Sequence, residues 1–168
     1  HKIIFESTPN YLYQRTALEF LKNLPEPPWV IFIFRKPSER ILSQYRYNLL
    51  TLKNIPKSIT LRSFVKAGYQ SPETYITIEG HKLLNPIQTN KYHIYLNPWL
   101  EEYGSERLIY FSFKNVINRP RSTMKELSEK VGIDSKFWDD FKVEQKNKSS
   151  YTINRKLFHY SNWMKRNL

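Results

Sequence analysis

Trp29-Val-Ile-Phe-Ile-Phe34 runs directly into Arg35-Lys-Pro-Ser-Glu-Arg-Ile-Leu-Ser-Gln-Tyr45. Six continuous apolar residues, aromatic and β-branched, form the pattern of a strand buried on both faces, as in a parallel sheet. Pro37 suits the first position of a helix, where its missing N–H costs nothing. Ile41, Leu42, Tyr45 and Leu49 recur at helical spacing and carry the helix to about Leu50. Strand, short turn and helix together make half of a βαβ unit.

Working outward, the same alternation continues. Lys2-Ile-Ile-Phe5 is read as a short strand, ended by Ser7, Thr8 and Pro9. Arg15 to Leu24 carries a helical apolar pattern that Pro25 stops. Thr60 to Ala67 is read as a helix closed by Gly68, and residues 69–90 as a long loop with little regular structure. Tyr92 to Tyr103 is helical in pattern, with Gly104 as its stop. Pro98 inside it implies a kink or a restart capped by Asn97. Leu108 to Phe113 is a second strand. Pro120 to Val131 is a helix ended by Gly132, and Arg155 to Asn167 is a basic helix. The expected class is α/β, in one domain spanning residues 1–168.

Composition narrows the functions. The 168 residues are 40% hydrophobic and 25% charged, a globular balance long enough for a real core. No apolar run approaches the roughly 20 residues of a membrane span. Without cysteine there is no disulfide scaffold, no thiol nucleophile and no Cys-based zinc site. The four histidines lack metal-binding spacing, so no metal is expected. The net charge of +12 attracts anions without choosing among them.

Arg35 stands where a parallel strand ends and a helix begins. Ligands of open parallel sheets bind at such carboxyl ends. The helix start adds unpaired N–H groups and a positive dipole end. A guanidinium there can grip a phosphate through two N–H groups at once. Arg40 and Ser43, three residues apart, are expected on one helix face, with the Ser43 hydroxyl on the same anion. The plainer alternative makes Arg35 and Arg40 surface residues paired with acids such as Glu39.

Arg35-Lys-Pro-Ser-Glu-Arg-Ile-Leu-Ser-Gln-Tyr45 resembles the 3′-phosphate-binding motif of sulfotransferases that use 3′-phosphoadenosine 5′-phosphosulfate (PAPS). Their pattern is Arg-x-Pro-x-x-Arg-x-x-Ser-x-Tyr, matched at Arg35, Pro37, Arg40, Ser43 and Tyr45. Three more stretches agree in order. Phe5-Glu-Ser-Thr-Pro-Asn-Tyr-Leu12 resembles the Glu-Lys-(Ser/Thr)-Pro-x-Tyr segment of heparan-type and related carbohydrate sulfotransferases. Tyr92 to Gly104 resembles their Tyr-x-x-x-Leu-x-x-Trp-Leu-x-x-Phe-Gly helix, and Leu108 to Pro120 the strand and helix entry that follow. The likeness covers roughly residues 3–133.

The resemblance implies a P-loop-like three-layer α/β fold around a central parallel sheet. It implies PAPS as cosubstrate, with Arg35 and Ser43 on its 3′-phosphate; Arg40, matched in the same pattern, is a further cofactor-binding candidate. The acceptor it implies is a hydroxyl or amine, with carbohydrate favoured over other small molecules. Glu6 takes the position of the family's proposed general base. His93, beside Tyr92, is a candidate for acceptor contact or proton transfer. Lys148 and Ser149, in Lys146-Asn-Lys-Ser-Ser-Tyr151, sit where heparan-type relatives carry a cofactor loop.

Two departures stand out. Ser7 replaces the family's Lys, and no Gly-x-x-x-x-Gly-Lys loop for the 5′-phosphosulfate occurs in the sequence. In the family that strand, loop and helix precede the Glu6 segment, so the resemblance places them ahead of His1. Two other readings stay open: a non-catalytic nucleotide- or glycan-binding homologue, and a basic nucleic-acid-binding domain. Against the last, no helix-turn-helix, zinc-finger or RNP motif is found, and no nucleic-acid partner is expected. The lack of cysteine favours a bacterial cytoplasm, with a Golgi lumen as the eukaryotic alternative.

Overall fold

A computed structural model of the chain describes residues 4–141. In order, the elements are α1 (Arg15–Lys22), β1 (Val30–Phe34), α2 (Pro37–Arg46), α3 (Leu61–Gln70), β2 (Tyr75–Ile78) and β3 (His81–Leu84). They continue with α4 (Tyr92–Glu102), β4 (Leu108–Ser112), α5 (Phe113–Asn118), α6 (Pro120–Val131) and α7 (Phe137–Asp140). The class is α/β. Strands β1 and β4 pair in parallel, from Val30 opposite Leu108 to Phe34 opposite Ser112. The sheet is small, with two strands among the described residues.

Two apolar clusters hold these elements. Val30, Phe32 and Leu108 of the sheet pack with Leu12, Leu18 and Trp99 under α1 and α4. Ile41 and Tyr45 of α2 pack with Phe64, Leu61, Ile76 and Leu83 from α3 and the β2–β3 hairpin. Helix α2 packs in the second cluster through Ile41 and Tyr45, and its Arg40 reaches Tyr13 and Tyr92 at the edge of the first. Burial of β1 is less complete than its sequence implied. Val30 and Phe32 are buried, but Ile33, on the opposite face, is 52% exposed because the described residues place nothing over it.

Pro37 takes the first turn of α2 as expected, and a π turn at Tyr47–Thr51 carries the chain on from Arg46. Gly132 ends α6 in the left-handed conformation, at φ 74°. Helix α4 runs unbroken through Pro98, without the Asn97 restart; the Ile94 carbonyl simply goes without its usual helical donor.

Four expectations are corrected. Ile4 and Phe5 form no strand and are 90% and 69% exposed, since the described sheet gives them no ladder to join. Residues 69–90 are not one loop: β2 and β3 make an antiparallel hairpin. Glu79 and Gly80 turn it with φ 48° and 81°, the two positive angles a tight primed turn needs. Gly68 does not close α3 but lies inside it, buried against Asn85 and Ile87. Thr60 caps the start of α3, accepting from the Ser63 amide at 3.1 Å. Phe113 belongs to α5, whose start is capped by Ser112, and not to the strand before it. The basic helix expected over 155–167 falls outside the described residues.

Candidate functional site

The carboxyl end of β1 delivers Arg35 beside the start of α2. Among the described residues no side chain caps that helix, and Pro37 has no N–H, so the Ser38 and Glu39 amides remain available to an anion. The Arg35 guanidinium carbon lies 4.9 Å from the ring centroid of Phe113, at the start of α5. Its Nε contacts a Glu39 carboxylate oxygen at 3.5 Å. The two side chains are 34% and 48% exposed, so this pair contributes about 0–1 kcal/mol and gives way readily to a doubly charged phosphate. Arg35 therefore has a ring to lie on and a weak partner to leave.

Ser43 follows Glu39 by one helical turn and is exposed, so the two share a face of α2, which Arg35 meets through Glu39. Arg40 does not share it. Its Nη1 donates to the Thr89 hydroxyl at 3.0 Å, and its guanidinium carbon lies 5.6 Å from the Tyr13 ring and 6.0 Å from the Tyr92 ring. The expected common face for Arg40 and Ser43 is thus corrected: burial against Tyr13 and Tyr92 draws the long Arg40 side chain inward.

Tyr92 completes this arrangement. Its hydroxyl donates to the Arg35 carbonyl at 3.0 Å, and its ring packs on Phe34 with centroids 4.8 Å apart. Tyr13 donates to the Thr89 carbonyl at 2.9 Å. Burial pushes the Tyr13 hydroxyl up to about 12, with nearby Arg40 pulling against that rise. Tyr92 is raised by burial too, again opposed by Arg40. Both phenols stay protonated donors at neutral pH.

The other expected residues stand apart. Glu6 is exposed, in the segment before α1, and accepts from the Thr8 hydroxyl. That bond ties it to neither Arg35 nor Ser43. His93 is exposed on the first turn of α4, next to the half-buried Tyr92. Lys148 and Ser149 lie outside the described residues. Trp99 belongs to the core, at 1% exposure, and Tyr103 bonds to the Pro28 carbonyl. No cluster of acids and histidines among the described residues could hold a metal ion, and no helix there is long and apolar enough to cross a membrane.

Sequence reasoning missed Phe113, Tyr92 and Thr89 as members of this neighbourhood. Thr89 sits in no motif, and Phe113 lies within the Leu108–Pro120 stretch, where an aromatic at a helix start reads as core. Tyr92 lies within a recognised helix pattern, but nothing in that pattern says where its hydroxyl goes.

No family model matches the chain. Among curated proteins it is similar to heparan sulfate glucosamine 3-O-sulfotransferase 3B1 and heparan sulfate glucosamine 3-O-sulfotransferase 3A1, both of mouse. Each is 23% identical over 134 residues, covering 79% of this chain. The match covers 32% and 31% of those proteins, so the chain spans about a third of their length. Relatives from mouse lend no support to the expected bacterial cytoplasm. The similarity is to sulfotransferases, and it is a distant one.

Proposed function

We propose that this chain carries the 3′-phosphate-binding part of a PAPS-dependent sulfotransferase that acts on a hydroxyl or amine, with a glycan as the favoured acceptor. The observation that carries this reading is Arg35: a weakly paired guanidinium at the end of a parallel strand, beside an uncapped helix start. The distant similarity to two heparan sulfate sulfotransferases supports it.

The residues present fit one end of the cosubstrate. Arg35 forks onto the 3′-phosphate as Glu39 releases it, the Ser38 and Glu39 amides add neutral donors, and the Ser43 hydroxyl adds another. When bound, PAPS supplies the sulfuryl group. Glu6 takes the proton that the acceptor hydroxyl or amine must lose, and His93 contacts the acceptor. Lys148 and Ser149 are further proposed contacts to the nucleotide. Positioning and charge stabilisation carry most of the rate in such in-line transfers. Residues 1–168 act in this scheme as one domain. The compartment is then that of the acceptor, a Golgi lumen for a glycan of heparan type.

A second reading, a homologue that binds nucleotide or glycan without transfer, draws on Ser7, which stands where the family pattern has Lys. Calorimetric titration with adenosine 3′,5′-bisphosphate separates nucleotide binding from its absence. Wild type should bind, Arg35→Ala should weaken binding at least about tenfold, and Ser43→Ala should weaken it less. A folded wild type that ignores the nucleotide, or an Arg35→Ala variant that binds as wild type does, removes the proposal. Binding without sulfuryl transfer by the intact protein favours the second reading.

A further inference from the structure

Arg40 was expected among the cofactor-binding residues, and its side chain is bonded within the protein. It reaches from α2 to the fully buried Thr89, whose hydroxyl in turn donates to the Asn85 carbonyl at 2.6 Å. Its guanidinium lies by two phenol rings, from Tyr13 before α1 and Tyr92 at the start of α4. Segments far apart in sequence thus meet on one cation. One of those rings, Tyr92, ends in the hydroxyl that holds the Arg35 carbonyl.

We propose that Arg40 is a positioning residue for Arg35: it braces the Tyr92 ring, and the Tyr92 hydroxyl fixes the peptide from which the Arg35 side chain springs. This rests on the reading of Arg35 as the phosphate-gripping group. The physical case is one of leverage. The Arg35 guanidinium sits at the end of a long, flexible stem, so a small rotation of its peptide moves the charged end by more than a hydrogen bond tolerates. Phe113 supports that end and Tyr92 supports its base. A group held at both points loses less freedom when it binds, and that preorganisation appears as affinity. Arg40, near two rings and bonded to a buried threonine, suits the brace better than the grip.

The test pairs adenosine 3′,5′-bisphosphate with adenosine 5′-monophosphate, which lacks the 3′-phosphate, on the full chain. Tyr92→Phe keeps the ring and deletes only the hydroxyl, so it should fold. It should weaken the bisphosphate about fivefold and leave the monophosphate unchanged. Arg40→Ala should do the same or more, and Arg40→Lys should recover part of the loss by restoring the cation. In an Arg35→Ala background, neither Tyr92→Phe nor Arg40→Ala should lower bisphosphate affinity further. A second full loss from Arg40→Ala in that background would make Arg40 a direct phosphate contact and overturn the proposal. So would an unchanged ratio between the two nucleotides in Tyr92→Phe.

A ligand-free measurement keeps the two proposals separable. The Arg35 Nε–H resonance should shift in Tyr92→Phe and in Arg40→Ala. If wild type binds neither nucleotide, the proposed function fails while this resonance still decides the brace. An Arg35 signal that neither substitution moves sinks it.

Discussion

Arg35 and Glu6 would share one reaction, but their surroundings are opposites. The Arg35 peptide is held by Tyr92, 57 residues away in sequence, and the Tyr92 ring is braced by Arg40, itself tied to Thr89 across 49 residues. Tyr13 joins the same threonine across 76 residues. Glu6 is held by Thr8, two residues away, and beside it Ile4 and Phe5 leave most of their surface in water. Long-range contacts make a position costly to disturb; a local contact leaves it free to follow its own segment. Among the described residues, the proposed anion-binding corner is thus held by long-range contacts, and the proposed base bonds only within its own short stretch of chain.

The comparison breaks hardest at Asn85. This side chain is fully buried, and its amide donates to the carbonyls of Gly68, Ser71 and Glu73 at 3.1, 3.1 and 2.9 Å. Its oxygen accepts from the Ile87 and Gln88 amides at 2.8 and 3.1 Å. One residue therefore fastens the end of α3, the start of the hairpin and the turn that carries Thr89. Asn85→Ala strands several buried backbone groups and should cost about 3 kcal/mol or more. Gly68→Ala attacks the same joint from the other side, because its new methyl would stand 2.9 Å from the Asn85 oxygen and should cost about 1–3 kcal/mol. Denaturant unfolding of the two variants checks both. Losses below about 1 kcal/mol in each would mean that Thr89, and the Arg40 tie built on it, are not held from below.

How much of this was legible in sequence follows from how local each signal is. The β1–α2 turn was readable because a continuous apolar run, a first-turn proline and a periodic helix face are all near-neighbour patterns. The hairpin was legible too, in Tyr75-Ile-Thr-Ile and His81-Lys-Leu-Leu around Glu79-Gly80, but the polar flanks hid it. Gly68 misled because a glycine near a helix end reads as a stop, while its real reason is a side chain 17 residues away. Arg40 misled for the same cause at longer range: helical spacing says which face a residue starts from, not where a six-bond side chain finishes. The Ile4–Phe5 strand was overread from four apolar-rich residues, and a strand exists only where another strand will pair with it.

Tyr13 sharpens the comparison by pH. Tyr13→Phe deletes a hydrogen bond to the Thr89 carbonyl, which Arg40 still approaches at 3.4 Å, so the loss near neutrality should be about 0.5–1.5 kcal/mol. Burial raises the folded Tyr13 above its ordinary value of 10.0, to about 12. The unfolded chain therefore ionises first as pH rises. Stability from this phenol is complete below pH 10 and drains away between 10 and 12. The gap between wild type and Tyr13→Phe should hold steady up to pH 9 or so and then narrow. A gap that stays constant through alkaline pH would mean that the hydroxyl is not buried in the brace.

Glu6→Gln carries the smallest expected effect on the fold and tests the other side of the contrast. The glutamine keeps the size and can still accept from Thr8, and the residue is exposed. Its change in stability should fall within about 0.5 kcal/mol, as for surface positions without special partners. Affinity for adenosine 3′,5′-bisphosphate should also stay as in wild type, because no contact links Glu6 to Arg35 among the described residues. What should fall is sulfuryl transfer by the intact protein, by about 100-fold or more if Glu6 takes the acceptor proton. Unfolding, titration and turnover of one variant thus separate three roles. A loss of stability above about 1 kcal/mol would show the segment to be anchored, and the contrast with Arg35 would fail. Unchanged turnover would move the base elsewhere and leave Glu6 as a solvated acid on a locally held strand of chain.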